Sequence, residues 1–333
     1  MSAAPDRHQP RAAVVYQPHK TDVAALRSLV AEQENIAGWS ATRWYETEEA
    51  DAGLGAARRA VADGASVVLA SGGDGTIRAV AEGLRDTGVP LAVVPQGTGN
   101  LLARNLGMPL GRMEDSVRAA FYGRNRPIDL GIVTIVRENN VEEERVFLVL
   151  AGMGLDARTI SATSATLKKR LGWLAYVDAG VRTMLKDKPL QIHYSVNRSP
   201  VRTQSVYTVM IGNCGLLPGG VLLIPDAKLD DGQLDVVALR PLGPFSWLRI
   251  WRKIGWENGV LRKSKAGRKI IDLVNDSRSV TYRRAERYAL AVSEPEPLQL
   301  DGDDFGLALA VRGAVDPGGL IVRVLPEWSE PTL

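Results

Sequence analysis

Two short turns limit what this chain can fold into. Ser71-Gly72-Gly73-Asp74-Gly75-Thr76 follows a short apolar run at Ser66 to Ala70 and precedes a helical pattern at Ile77 to Arg85. Pro95-Gln96-Gly97-Thr98-Gly99-Asn100 repeats the arrangement, after Leu91 to Val94 and before Leu101 to Leu106. A strand, a glycine turn and a helix, twice in succession, call for parallel βαβ units whose turns gather at the carboxyl ends of neighbouring strands. Glycines there let backbone N–H groups approach an anion without interference from Cβ, and the following helix aims its positive end at the same place. Neither turn continues into Gly-Lys-Ser/Thr, and neither reads G-x-G-x-x-G. Two anion cradles in one crevice suit a nucleoside triphosphate. Asp74 would be repelled by phosphates unless it orients water, a metal or a backbone turn. The plainer alternative is a tight strand-to-helix turn with an aspartate cap.

The rest of the first half agrees with this alternation. Ala12 to Tyr16 and Ala41 to Tyr45 are strand candidates, and Thr21 to Gln33 and Gly53 to Asp63 have helical spacing. The pattern changes near Ile128. Strands then dominate, at Ile132 to Arg137, Arg145 to Ala151, Leu190 to Val196, Val206 to Gly212, Leu234 to Leu239, Ser279 to Arg284, Tyr288 to Ser293, Leu307 to Arg312 and Leu320 to Leu325. Helical segments at about Leu167 to Leu185 and Phe245 to Leu261 interrupt them. The expected class is α/β plus β: a doubly wound domain over residues 11–131, completed by about 313–333, and a β-sandwich over 132–312. Residues 1–10 are polar and read as a flexible tail.

Composition narrows the setting. Among 333 residues 45% are hydrophobic and 24% charged, so the chain can build its core without disulfides, and its single cysteine, Cys214, has no partner within the chain. A cytoplasmic location is the simplest reading. No apolar run reaches the roughly 18 residues of a spanning helix. A net charge of +3 does not by itself argue for nucleic acid. Charge is concentrated from Phe245 to Ile270, where Trp247, Trp251 and Trp256 stand among eight lysines and arginines with Glu257 as the one acid. That stretch suits an anionic bilayer surface, or a helix with a solvated basic face. His8, His19 and His193 show no ligand spacing.

The motifs together are similar to a known family. Gly72-Gly73-Asp74-Gly75-Thr76, then Gly97-Thr98-Gly99-Asn100 with Ala103-Arg104-Asn105-Leu106, resemble the diacylglycerol kinase catalytic family, which includes sphingosine and ceramide kinases. The resemblance continues through Ala151-Gly152-Met153-Gly154-Leu155-Asp156-Ala157, Gly212-Asn213 and Pro225 to Asp235, and ends at Gln299-Leu300-Asp301-Gly302-Asp303. It implies a nucleotide domain and a β-sandwich with the active site in the cleft between them, and ATP-dependent phosphorylation of the hydroxyl of diacylglycerol or a related lipid. It implies a nucleotide site at Thr47, Gly72, Gly73, Asp74, Gly75, Thr76, Ile77, Arg78, Gly97, Thr98, Gly99 and Asn100. It also implies a proton acceptor in the terminal motif, at Asp301 and Asp303 acting together. A structural Mg²⁺ is implied at Asp231 with the carbonyls of Lys228 and Gln233, and a second Mg²⁺ would travel with ATP.

Three positions depart from the family pattern. Gln17-Pro18 stands for the usual Asn-Pro, Leu101 for an acid after Asn100, and Asp303 for a glutamate. Read alone, Asp301-Gly302 and Asp231-Gly232 are also ordinary hairpin turns. The expected partners are a lipid substrate and, peripherally, an anionic membrane; nucleic acid is not expected, and pairing of two copies is left open. Rival readings are a kinase of a soluble substrate resembling NAD kinase, and a catalytically weak lipid- or nucleotide-binding regulator.

Overall fold

Short apolar strands alternate with amphipathic helices through the first third of the chain, and the fold follows that alternation. The computed structural model describes residues 9–154, 189–217, 221–222, 224, 227–240 and 280–328. These fall into two units, one running to Ile128 and resumed from Gly318, the other from Asp129 to Pro317.

The first unit is built from β1 (Arg11–Tyr16), α1 (Val23–Ala37), β2 (Ser40–Glu46), α2 (Leu54–Ala62), β3 (Val67–Gly72), α3 (Asp74–Leu84), β4 (Leu91–Pro95), α4 (Leu101–Asn105) and α5 (Met113–Tyr122). Its strands pair in parallel in the order β2-β1-β3-β4. The period of two sends Ala12, Val14, Val67, Leu69, Ala92 and Val94 to one face. There they meet Leu26 and Val30 of α1 and Val117, Ala120 and Phe121 of α5. On α1, Asp22 caps the start by accepting the Ala25 N–H at 3.0 Å, and Gly38 ends it in the left-handed region. Helix α2 packs on α3. The sequence reading had no counterpart for α5. Its Met113, Val117, Ala120 and Phe121 recur at helical spacing, but Arg112 supplies no side-chain cap to mark where it starts.

The second unit is antiparallel. It contains β5 (Arg124–Val136), β6 (Glu142–Phe147), β7 (Leu150–Gly154), β8 (Leu190–Val196), β9 (Arg202–Val206), β10 (Thr208–Gly212), β11 (Leu216–Leu217), β12 (Val221–Leu222), β13 (Leu234–Leu239), β14 (Val280–Ala285), β15 (Arg287–Leu300) and β16 (Asp303–Val324). Strand β15 joins two layers. Its first half, Tyr288 to Val292, pairs with β8, and its last residues, Leu298 to Leu300, pair with β7. The irregular stretch between Ala291 and Glu296 contains Pro295, which has no N–H to donate, and lets the strand change partners. Phe147, Ile192, Val206, Val209, Leu298 and Leu300 are among the buried residues that fill the space between the layers.

Several expected strands differ in extent. Arg145 to Ala151 is interrupted at Leu148 and Val149, and Val206 to Gly212 is broken at Tyr207. Leu307 to Arg312 and all but the last residue of Leu320 to Leu325 are parts of the one strand β16, which pairs with β15 along its first half and meets β4 in parallel at Val322 and Leu91. The expected helices at 167–185 and 245–261, the basic tryptophan stretch at 245–270 and residues 1–8 of the tail lie outside the described residues. No helix among the described residues is long and apolar enough to cross a membrane.

Candidate functional site

Parallel pairing brings the loops after β1, β2, β3 and β4 to one edge of the first unit. The two glycine turns meet there. A Cβ on Gly97 would come within 3.0 Å of the Gly73 Cα, and one on Gly72 would come within 2.6 Å of Thr76. Glycine at 72 and 97 therefore stands where the chain lies closest to itself, with the tighter contact at 72.

Asp74 ties the turns together. One carboxylate oxygen accepts the N–H of Asn100 at 2.9 Å and the other the N–H of Leu101 at 2.5 Å. These are donors at the start of α4, whose own N-cap, Asn100, makes no side-chain capping bond. The Asn100 Oδ1 closes its turn instead, by accepting the Gly97 N–H at 2.9 Å. A Cβ on Gly99 would lie 2.6 Å from the Asp74 carboxylate. Arg104 Nε donates to the Gly99 carbonyl at 2.7 Å. The Asp74 carboxylate orients backbone, one of the roles open to an acid beside phosphates. Its bonds to Asn100 and Leu101 direct its charge at the second turn.

Two of the expected nucleotide-site residues lie one step further along α3. Ile77 and Arg78 are 4% and 7% exposed on α3. The Ile77 N–H is bonded to the Gly73 carbonyl, and Arg78 pairs with Glu82 one turn along at 3.6 Å. Both side chains are buried against the protein. Thr47 lies at the carboxyl end of β2, two strands from β3, with its N–H on the Tyr16 carbonyl at 3.0 Å.

In the second unit, Asp301 and Gly302, both with positive φ, form the two-residue hairpin between β15 and β16 that this dipeptide on its own suggests. The Asp301 side chain is 3% exposed. Its carboxylate accepts the N–H groups of Leu148 at 2.7 Å, Val149 at 2.8 Å and Leu150 at 2.9 Å. Those N–H groups are thereby lost to a strand ladder, which is why the expected strand breaks at Leu148 and Val149. Asp301 and Asp303 consequently have different surroundings. Asp301 is a buried anchor for a loop, whereas Asp303 opens β16 opposite Leu300 and is partly exposed.

A buried polar chain continues from this loop. Asn213 Nδ2 donates to the carbonyls of Leu148 at 3.0 Å and Asp129 at 2.8 Å. Asp129 in turn accepts the Gly232 N–H at 2.7 Å. The turn at Asp231 is thus connected to Asp301 through Asp129, Asn213 and Leu148. The role of Asp129 was missed from the sequence; its signal is a single acid between Ile128 and Leu130 in an apolar run.

The expected Mg²⁺ donors share one turn. Asp231 is exposed, its Oδ1 accepts the Gln233 N–H at 3.1 Å, and Lys228 precedes it at the surface. One carboxylate with backbone carbonyls and water is a hard, all-oxygen set that fits Mg²⁺. No group of three or more acidic, histidine or cysteine side chains among the described residues could hold a metal.

Comparison with known proteins agrees with this layout. Residues 11–133 match the diacylglycerol kinase catalytic domain, and residues 149–324 match the YegS C-terminal NAD kinase beta sandwich-like domain. The chain is 28% identical over 305 residues to the diacylglycerol kinase of Bacillus subtilis, covering 89% of this chain and 91% of that one. A protein of Chromohalobacter salexigens named probable lipid kinase YegS-like is 32% identical over 85% of this chain and 83% of its own length. For several other relatives the match takes in only about half of their length, from 52% to 58%. The crystal structure of a diacylglycerol kinase from Bacillus anthracis superimposes with a TM-score of 0.67 at 16% identity, over 97% of this chain and all of the other, and shares the fold. This chain belongs to the family in which a diacylglycerol kinase catalytic domain is followed by a YegS-type β-sandwich.

Proposed function

We propose that the protein is an ATP-dependent lipid kinase that transfers the γ-phosphoryl group to the hydroxyl of diacylglycerol or a related lipid. The observation that carries this reading is the pair of glycine turns held together by Asp74, which presents two backbone cradles on one edge of a parallel sheet. Family membership supports the same chemistry. In the transfer, the lipid oxygen forms a bond to the γ-phosphorus and the bond from that phosphorus to the β–γ bridging oxygen breaks, releasing ADP. The hydroxyl proton passes to a carboxylate, a role we assign to Asp303. Asp301, bonded to three backbone N–H groups, holds the hairpin that carries Asp303. Mg²⁺ bound with the donor would neutralise phosphate charge. A second ion at Asp231, with the carbonyls of Lys228 and Gln233, would brace the turn that leads through Asp129 to Asp301.

The acceptor resides at a bilayer surface, so we infer peripheral contact with anionic membrane from the cytoplasmic side, through the basic tryptophan stretch at 245–270. Incubation with radiolabelled ATP and either total extracted lipid or NAD tests the assignment. Label in a lipid product supports it. Label in a soluble dinucleotide favours the NAD kinase-like reading, and ATP binding without turnover favours a regulator. Reversal of Arg262, Lys263 and Lys265 to glutamate should cut activity on anionic vesicles and spare a short-chain soluble acceptor. Equal loss on both would remove the docking role.

A further inference from the structure

We propose that the Lys20 ammonium is a ligand of the donor's terminal phosphates and sets the preference of this site for a triphosphate over its dephosphorylated forms. The inference rests on the nucleotide-site reading above. No sequence motif singled out Lys20, which follows Gln17-Pro18-His19 in the loop after β1.

The backbone of that loop is fixed. The Gln17 N–H donates to the Ser71 carbonyl at 2.9 Å, and the Gln17 carbonyl accepts the N–H groups of Lys20 at 3.2 Å and Thr21 at 3.1 Å. Thr21 is buried, and its hydroxyl lies 3.2 Å from the Ser71 carbonyl and 3.0 Å from the Ser71 hydroxyl. Ser71 immediately precedes the first glycine pair, so the loop is bonded to the base of the first turn. From that anchor the Lys20 side chain reaches over the turn. Its Nζ lies 3.1 Å from where a Gly73 Cβ would stand, and the same point is 3.8 Å from the Gly97 Cα. The ammonium therefore lies at the junction of the two cradles.

Among the described residues its charge has no counterpart. Lys20 is exposed, and its ammonium makes no ion pair or hydrogen bond with any described residue. Two neighbouring acids are engaged with backbone: Asp22, two residues on, caps α1, and Asp74, next to Gly73, accepts the N–H groups of Asn100 and Leu101. A cation without a partner among the described residues, over the turn that opens α3, is the arrangement that a polyanion completes. The residue after Asn100 is Leu101, so the second turn has no acid at that position through which a metal could contribute the same charge. A side-chain cation supplies it directly. Each phosphate removed from the nucleotide weakens that attraction, whereas the nucleoside part is indifferent to it.

Calorimetric titration with a non-hydrolysable ATP analogue, ADP and adenosine, at low and moderate salt, tests this on the full chain. Lys20→Met should bind the ATP analogue about tenfold to a hundredfold more weakly, the size of one charge-assisted contact. ADP should lose less and adenosine nothing, and the salt dependence of analogue binding should flatten. Lys20→Arg should restore most of the affinity. Because Lys20 is exposed, the melting temperatures of both variants should match that of the wild type. Equal weakening of all three ligands would mean that the substitution disturbs the loop, and undiminished analogue binding by Lys20→Met would mean that the ammonium is solvated; either overturns the proposal. Failure of the wild-type chain to bind the analogue would overturn the nucleotide site itself and Lys20 with it.

Discussion

Asp301 and Leu150 are hydrogen-bonded in both directions. The Asp301 carboxylate accepts the Leu150 N–H at 2.9 Å, and the Asp301 N–H donates to the Leu150 carbonyl at 2.8 Å. With the N–H groups of Leu148 and Val149 added, this side chain organises a whole loop. Asp301→Asn should therefore lower stability, because the amide can present only one oxygen to donors that now meet two. Loss of buried bonds to a charged group predicts about 2–4 kcal/mol, read by urea unfolding. Asp303→Asn should shift the unfolding midpoint less than Asp301→Asn and lower kcat by about 10²- to 10⁴-fold. A stable Asp301→Asn, or an active Asp303→Asn, would reverse these roles.

Asp74→Ala should loosen the second turn. The N–H groups of Asn100 and Leu101 lose their acceptor, at a cost of about 1–2 kcal/mol, as for other helix caps. The KM for ATP should rise together with the fall in kcat, because the cradle itself is displaced. A variant with wild-type KM and reduced kcat would instead place Asp74 at the reacting atoms.

The Tyr288 hydroxyl, buried in the second unit, donates to the Ile132 carbonyl at 3.0 Å, and a Cβ on Gly313 would meet that same carbonyl at 1.8 Å. Tyr288→Phe should cost about 1–3 kcal/mol, and Gly313→Ala more, since backbone must move to admit its methyl group. Burial pushes the phenol's ionisation up from its ordinary value of 10.0. The raised value means that the native state keeps the proton that the unfolded chain releases. The stability linked to this group should hold below pH 10 and decline above it. Tyr288→Phe should lack that part of the alkaline decline, as thermal melts across the range would show. Parallel alkaline limbs for both proteins would contradict the burial account.

Addition of a chelator should lower the melting temperature of the wild type and leave Asp231→Ala, already destabilised, unchanged. Insensitivity of the wild type, with an Asp231→Ala variant of normal stability, would remove the ion from the Asp231 turn.

Much of this arrangement was legible because it is local. Gly72, Gly97 and the apolar runs before them announce strand-turn-helix units within a dozen residues of chain, and the positions of α3 and β4 follow. Asp301 was legible as a motif and illegible as a structure, because its donors, Leu148 to Leu150, lie far away in sequence and offer ordinary backbone. Lys20 was hidden for the opposite reason. A lone lysine in a loop has the signature of any solvated side chain, and only the fold places it over Gly73. The break at Leu148 and Val149 illustrates the competition: the residues favour a strand, and a distant carboxylate takes the N–H groups that the strand would have used.

Strand β16 makes the first unit dependent on the far end of the chain. Val322 pairs with Leu91, Arg323 reaches the Gly123 carbonyl at 2.5 Å, and the buried Trp328 follows. During synthesis the parallel sheet of the first unit cannot close until Val322, about 230 positions beyond Leu91, has left the ribosome. The sandwich is free to form while the outer edge of β4 is still waiting for its neighbour. A stop codon just before Gly318 would spare both glycine turns yet leave β4 as an open edge, the kind of exposed strand that recruits other chains. The expected consequence is aggregation of the truncated product, with both glycine turns present.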